Sequence, residues 1–169
     1  MEESLPKESV IPTASYDVLV DYIDNKMLFE GKSITEWFTY LVLPPIPDHM
    51  DTTAIIKLNQ RAIVLAELIY NNCSLAKARY IGAKAAFTKK LNQQKELVRD
   101  STAKKESNEV VENKAMNKSA NEATAMTIAE FFFEFWKNQV EKFNAFNTRL
   151  TSLNITVNQE NKILNNSTF

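Results

Sequence analysis

The sequence is poor in residues that bend, bridge or ligate. It holds two glycines, five prolines, one cysteine and one histidine in 169 residues. One cysteine, Cys73, excludes an internal disulfide framework and every multi-cysteine zinc pattern, and its expected role is that of a small apolar packing residue. The histidine, His49, lies in "PPIPDHMD" beside Asp48 and Asp51. One imidazole without a second ligand-bearing element makes neither a metal site nor an acid-base pair, so His49 is expected to be a solvated linker residue. No apolar run approaches the roughly 18 to 20 residues of a membrane span, and no membrane partner is expected. The stretch "MEESLPKESVIP" is acidic and proline-broken, unlike a secretory signal, and the expected compartment is a cytoplasm. Gly-rich phosphate cradles and nucleophile elbows are also missing, since "GKS" at Gly31 to Ser33 lacks the upstream glycine of a Walker loop. These absences point away from an enzyme, and neither cofactor nor metal is expected.

What remains is a chain built for long helices. All five prolines lie at or before Pro47, and beyond it the only glycine is Gly82, so residues 48 to 169 contain almost no helix breaker. Ala62, Ala66, Ile69, Cys73, Ala76, Tyr80, Ala83 and Phe87 repeat in steps of four and three, then slip to Leu91 and Val98. Ile128, Phe132, Phe135, Gln139, Phe143, Phe146, Leu150, Leu153 and Val157 form a second such line. The polar stretch Asp100 to Ala125 between them carries cap formers at Asp100, Ser101, Ser107 and Asn108, where the chain should reverse or fray. The expected fold is all-α: a long antiparallel hairpin over 48–164, its Ala-rich arm facing its Phe-rich arm. A disordered tail is expected over 165–169.

Residues 1–47 form an acidic segment with two short helices. Ser15 is the expected cap of one, and Ser33 with Glu36 forms a capping box for the other. Pro44, Pro45 and Pro47 then link into the first long helix, whose cap should be Asp51 or Thr52. "FFFEFW" (Phe131 to Trp136) is apolar around nearly the whole helix circumference, more than one hairpin partner can cover. A homo-oligomer interface at Phe132, Phe135, Trp136, Phe143 and Phe146 is the expected cover.

Charge is distributed in blocks. Residues 1–51 hold three basic and ten acidic groups, 52–105 eleven and three, and 106–169 six and eight, so a net charge of -1 conceals segments of -7, +8 and -2. The basic block centres on "SLAKARYIGAKAAFTKKLNQQKELVR" (Ser74 to Arg99), and its cations Lys77, Arg79, Lys84, Lys89, Lys90, Lys95 and Arg99 are the candidate phosphate contacts. At 100° per residue most flank the apolar line on both sides, where coiled coils ordinarily place charge, but the usual acidic counterparts are missing. Their partner is then polyphosphate or the chain's own acidic segment. Tyr80 and Phe87 are interleaved with them and could stack on bases if not wholly buried.

"LAKARYIGAKA", with Lys77, Ala78 and Arg79 in a basic helix followed by an aromatic, resembles the Lys-Ala-Arg segment of UvsY-type recombination mediators of tailed phages. "FFEFWKNQVEKFNAFNTRL" (Phe132 to Leu150) is similar to the carboxy-terminal helix of that family. The resemblance implies a non-enzymatic, ring-like homo-oligomer that binds single-stranded DNA and helps a RecA-like recombinase displace the single-strand-binding protein. It assigns phosphate contacts to Lys77 and Arg79; the other five cations follow from composition alone. The competing expectation is a structural protein, such as a virion or scaffold component, that self-associates through its Phe-rich helix.

Overall fold

The computed structural model describes residues 21–23, 26–46, 52–101 and 107–166, which divide into two compact units, one ending at Val42 and the other beginning at Leu43. In the first unit residues 21–23 are helical, and the rest of the helix expected from Ser15 lies outside the described residues. A two-residue hairpin turn follows, in which Phe29 and Lys32 exchange both backbone hydrogen bonds, at 2.9 and 3.1 Å. Glu30 and Gly31 at its tip have φ of 50° and 74°, the left-handed pair that a type I′ turn requires. Glycine adopts this conformation freely, whereas Glu30 does so against its own Cβ, at a cost of about 1–2 kcal/mol.

Ser33 then caps α1 (Ile34–Tyr40). Its hydroxyl accepts from the Glu36 amide at 3.2 Å while Glu36 Oε2 accepts from the Ser33 amide at 2.7 Å, the reciprocal box read from the sequence. "GKS" therefore serves as a turn and a helix cap. The buried Trp37 indole N–H donates to the Phe29 carbonyl at 2.9 Å, tying α1 back to the turn. Lys32 Nζ lies 5.1 Å from the Trp37 ring and 5.4 Å from the Tyr40 ring, a cation held on two π faces.

The second unit is the hairpin. After the irregular stretch Leu43 to Ile46 comes α2 (Thr52–Ser101), 50 residues long and about 75 Å end to end at 1.5 Å per residue. The other proposed cap, Asp51, and His49 lie outside the described residues. Helix α3 (Asn108–Lys118) is capped by Ser107, whose Oγ accepts from the Val110 amide at 3.4 Å, and α4 (Ala120–Asn166) adds 47 residues. The reversal thus falls between Ser101 and Ser107, and most of the polar stretch expected to reverse or fray is helix. The reason is the stripe Val111, Ala115 and Ser119, spaced by four and buried, which lets α3 pack against α2. Ser119 is the single non-helical residue between α3 and α4: its amide donates to the Met116 carbonyl and its carbonyl accepts from Ala123, both at 3.0 Å.

Helices α2 and α4 run antiparallel, because as positions rise along one they fall along the other. The amides of Asn59 and Asn154 bond reciprocally at 3.2 and 3.3 Å, Tyr70 OH donates to Asn144 Oδ1 at 2.6 Å, and Tyr80 stacks on Phe133. At the level between the last two, Ala76 at 1% exposure faces the region of Trp136 at 0%. A small seam residue thus lies level with the largest ring, a match that lets two such helices approach at interior packing density.

The buried line differs in detail from the sequence expectation. On α2 it runs Ile55, Leu58, Ala62, Leu65, Ile69, Asn72 and Ala76; Leu65 and Asn72 replace Ala66 and Cys73, which are half-buried one residue along. Asn72 tolerates this position because its Nδ2 donates to the Leu68 carbonyl at 3.0 Å, satisfying itself within its own helix. On α4 the line runs Phe132, Trp136, Gln139, Phe143, Phe146 and Leu150, with Phe135 only half-buried. Phe132, Trp136, Phe143 and Phe146 are therefore buried within one chain, so their cover needs no second copy.

Replacing Trp136 by Ala should cost about 3–5 kcal/mol in urea unfolding, and Ala76→Leu about 1–3 kcal/mol by overpacking the same level. In the first unit, Glu30→Asn should raise the melting temperature, because asparagine accepts the left-handed conformation that glutamate resists.

Candidate nucleic-acid interface

The seven cations singled out in the sequence all lie on α2, on a rod with no break at Gly82. Lys77, Arg79, Lys84, Lys89 and Arg99 are exposed, and Lys90 and Lys95 are half-buried. With Ala76 facing the hairpin interior, Lys77, Lys84, Lys95 and Arg99 fall on one flank, Arg79 and Lys90 on the other, and Lys89 faces outward. They do not form a single stripe. A strand following the first flank would meet Lys77 and Lys84 about 10 Å apart along the helix.

Among the described residues Lys77, Lys84, Lys89 and Lys90 take part in no ion pair, whereas Lys95 Nζ binds Glu112 Oε1 of α3 at 2.8 Å. Lys95 is thus already engaged in closing the far end of the hairpin, which separates it from the other candidates. The Lys95 ammonium, by direct hydrogen bond and by its charge, pulls the Glu112 carboxyl below the usual carboxylate range.

The interleaved aromatics are partly committed. Tyr80 stacks on Phe133 of α4, centroids 5.9 Å apart and planes within 11°, and its hydroxyl donates to Glu130 Oε1 at 3.2 Å. Lys84 Nζ sits 5.7 Å from the Tyr80 ring. Tyr80, Phe133 and Phe87 are all half-buried, so this flank presents cations beside aromatic edges rather than an empty stacking slot. Sequence reasoning missed Phe133, Glu130 and Glu112. The signal that could have found them is the hairpin register: once the two apolar lines are set antiparallel, Phe133 and Glu130 come level with Tyr80.

Burial pushes the Cys73 thiol above its ordinary value and nearby Lys77 draws it partly back. A pocket of about 550 Å³ lies between the Pro44–Pro45 link and α4, floored by Ala145 and Phe146, with Lys142 and Arg149 in its wall. Among the described residues its lining holds apolar walls and positive charge, with no carboxylate, imidazole or thiol. Among the described residues no helix is long and apolar enough to cross a membrane.

No protein-family model, curated protein or solved structure matches this chain.

Glu112 provides a pH test of the helix closure. Its carboxyl is depressed in the folded chain, so the stabilisation it gives is present above the unfolded-state pKa and is lost as pH falls through the folded value. Glu112→Gln should therefore lower the melting temperature near neutral pH at low salt. The difference from wild type should fall away as pH drops below the ordinary glutamate range, and shrink in high salt.

Proposed function

We propose that this chain is a non-enzymatic single-stranded nucleic-acid-binding protein of the recombination-mediator type, with α2 as its phosphate-binding arm. The observation that carries the reading is the set Lys77, Lys84, Lys89 and Lys90: four cations along one rigid helix without ion pairs among the described residues. A structural charge rim ordinarily pairs with acidic neighbours across a helix interface, as Lys95 does with Glu112. Unpaired ammonium groups at fixed spacing fit a polyanion, whose bound counterions are released when phosphates take their place. Half-buried Phe87 and the outer edge of the Tyr80–Phe133 stack lie beside them, apolar surface that suits a strand whose bases are free of pairing. A RecA-like recombinase and a single-strand-binding protein as partners rest on the resemblance of Lys77 to Arg79 and Phe132 to Leu150 alone.

The rival reading, a self-associating virion or scaffold protein, also remains a proposal. Its expected surface, the Phe-rich helix, contributes most of its large rings to the core of the single chain, so it requires a different face.

Fluorescence anisotropy of a labelled oligo(dT) across a salt series tests the nucleic-acid reading. Wild type should bind with a log-log salt slope of about -0.7 per phosphate contact. Lys77→Ala with Lys84→Ala should flatten that slope by roughly 1.4 and weaken binding to every sequence alike. Circular dichroism should not change, since both sites are exposed and alanine is a good helix former. No wild-type binding at about 50 mM salt, or an unchanged slope in the double variant, would sink this reading.

A further inference from the structure

Helix α2 carries a second apolar repeat, offset by one residue from the buried line. The buried line is Ile55, Leu58, Ala62, Leu65, Ile69, Asn72 and Ala76. One position later come Ile56, Asn59, Ile63, Ala66, Tyr70 and Cys73, spaced by the same alternating three and four. Ile56, Ile63 and Tyr70 are 53%, 59% and 42% exposed, while Asn59, Ala66 and Cys73 are half-buried between them. Large residues separated by seven, with small or uncharged ones between, form a helix-packing seam; among the described residues α4 covers only its inner edge, where Tyr70 packs edge-on against Phe143 with centroids 6.1 Å apart. Its register ends abruptly, because the next position is Lys77, the first cation of the basic arm.

The adjoining edge of α4 meets the seam through amides, with Glu141 one turn from Asn144. Asn154 and Asn144 lie there, bonded to Asn59 and Tyr70. The six seam positions from Ile56 to Cys73 carry no charge, and interface cores are depleted of charge in this way, with charges such as Glu67 left to the rim.

We propose that this face is a self-association surface, on which a second copy packs its own α2 seam antiparallel about a twofold axis at Ile63. The arrangement is self-complementary: Ile63 meets the other copy's Ile63, and Ile56 meets its Tyr70. Charge chooses the direction. In the antiparallel pairing Lys77 falls level with a point before the other copy's first helical residue, Thr52, so the two basic arms project from opposite ends. Parallel pairing would instead set Lys77 and Lys84 against the same cations of the second copy, which is repulsive. Area is sufficient as well. From Thr52 to Ser74 the face is about 33 Å long and two helices, about 20 Å, wide, so the pair buries roughly 1,300 Å², within the standard size of a stable interface. This surface does not depend on nucleic acid and stands whether or not the basic arm binds a strand.

Light scattering on the full chain at micromolar concentration, without nucleic acid, tests the proposal. Wild type should run at twice its chain mass of 19.3 kDa. Ile63→Glu should run at the single-chain mass with helical circular dichroism retained, because Ile63 is exposed and outside the hairpin core. Val64→Glu, on the neighbouring face at 66% exposure, should leave the dimer intact. Should Ile63→Glu fail to fold, crosslinking decides: Ile63→Cys in a Cys73→Ala background should form a covalent dimer under mild oxidation, and Val64→Cys should not. A monomeric wild type, a dimeric Ile63→Glu, or equal crosslinking at Ile63 and Val64 overturns the proposal.

Discussion

The hairpin rests on the match of small and large residues along one line. Ala62 and Ala76 on α2 lie among Ile55, Leu58, Leu65 and Ile69, and across from them α4 brings Phe132, Trp136, Phe143, Phe146 and Leu150, all buried. Long helices gain little from their own hydrogen bonds in water and depend on the face they bury. The line of contact is therefore what holds the two long helices antiparallel. It also sets the level at which Tyr80 meets Phe133 and the flank on which Lys77 and Lys84 stand.

That dependence makes α2 a helix with a division of labour along its length. Its inner face holds the hairpin. Its first half turns Ile56, Ile63 and Tyr70 outward, and its second half turns Lys77, Lys84 and Lys89 outward. One rigid rod thus carries an apolar and a cationic surface end to end, separated at Cys73 and Lys77. An apolar partner and a polyanion could occupy the two halves without competing, since the rod fixes their spacing.

The far end is closed differently. Helix α3 is short, and it is held by a narrow stripe, Val111 and Ala115, and by the Lys95 to Glu112 bridge between partly exposed groups. Exposed ion pairs contribute little, so this end has less holding it than the Phe-rich middle. Ser119 adds to the contrast, for it interrupts the helix while fully buried and its Oγ has no hydrogen-bond partner among the described residues. A buried hydroxyl left without a hydrogen bond at a one-residue break is a local cost that the Phe-rich middle does not offset there.

By itself the sequence determined the helical class, the two long arms and the Ser33–Glu36 box, because proline and glycine placement, three-four spacing and capping are local properties. It also located the basic block, which is a matter of composition. Only the tertiary structure decided which of two adjacent repeats on α2 is inside. Leu65 and Asn72 are buried while Ala66 and Cys73 are not fully so, and a reading that favoured small residues mixed the two lines. Spacing alone cannot separate seams offset by one residue, since each satisfies the same period; the choice is made by which line matches the rings of α4. The same holds for Phe132, Trp136, Phe143 and Phe146, whose apolar character is plain in the sequence but whose burial within a single chain depends on a partner helix that approaches closely along a line containing Ala62 and Ala76. Lys95 became distinct from its neighbours for a like reason, because pairing with Glu112 requires α3 to fold back, and that is a fact of register rather than of composition.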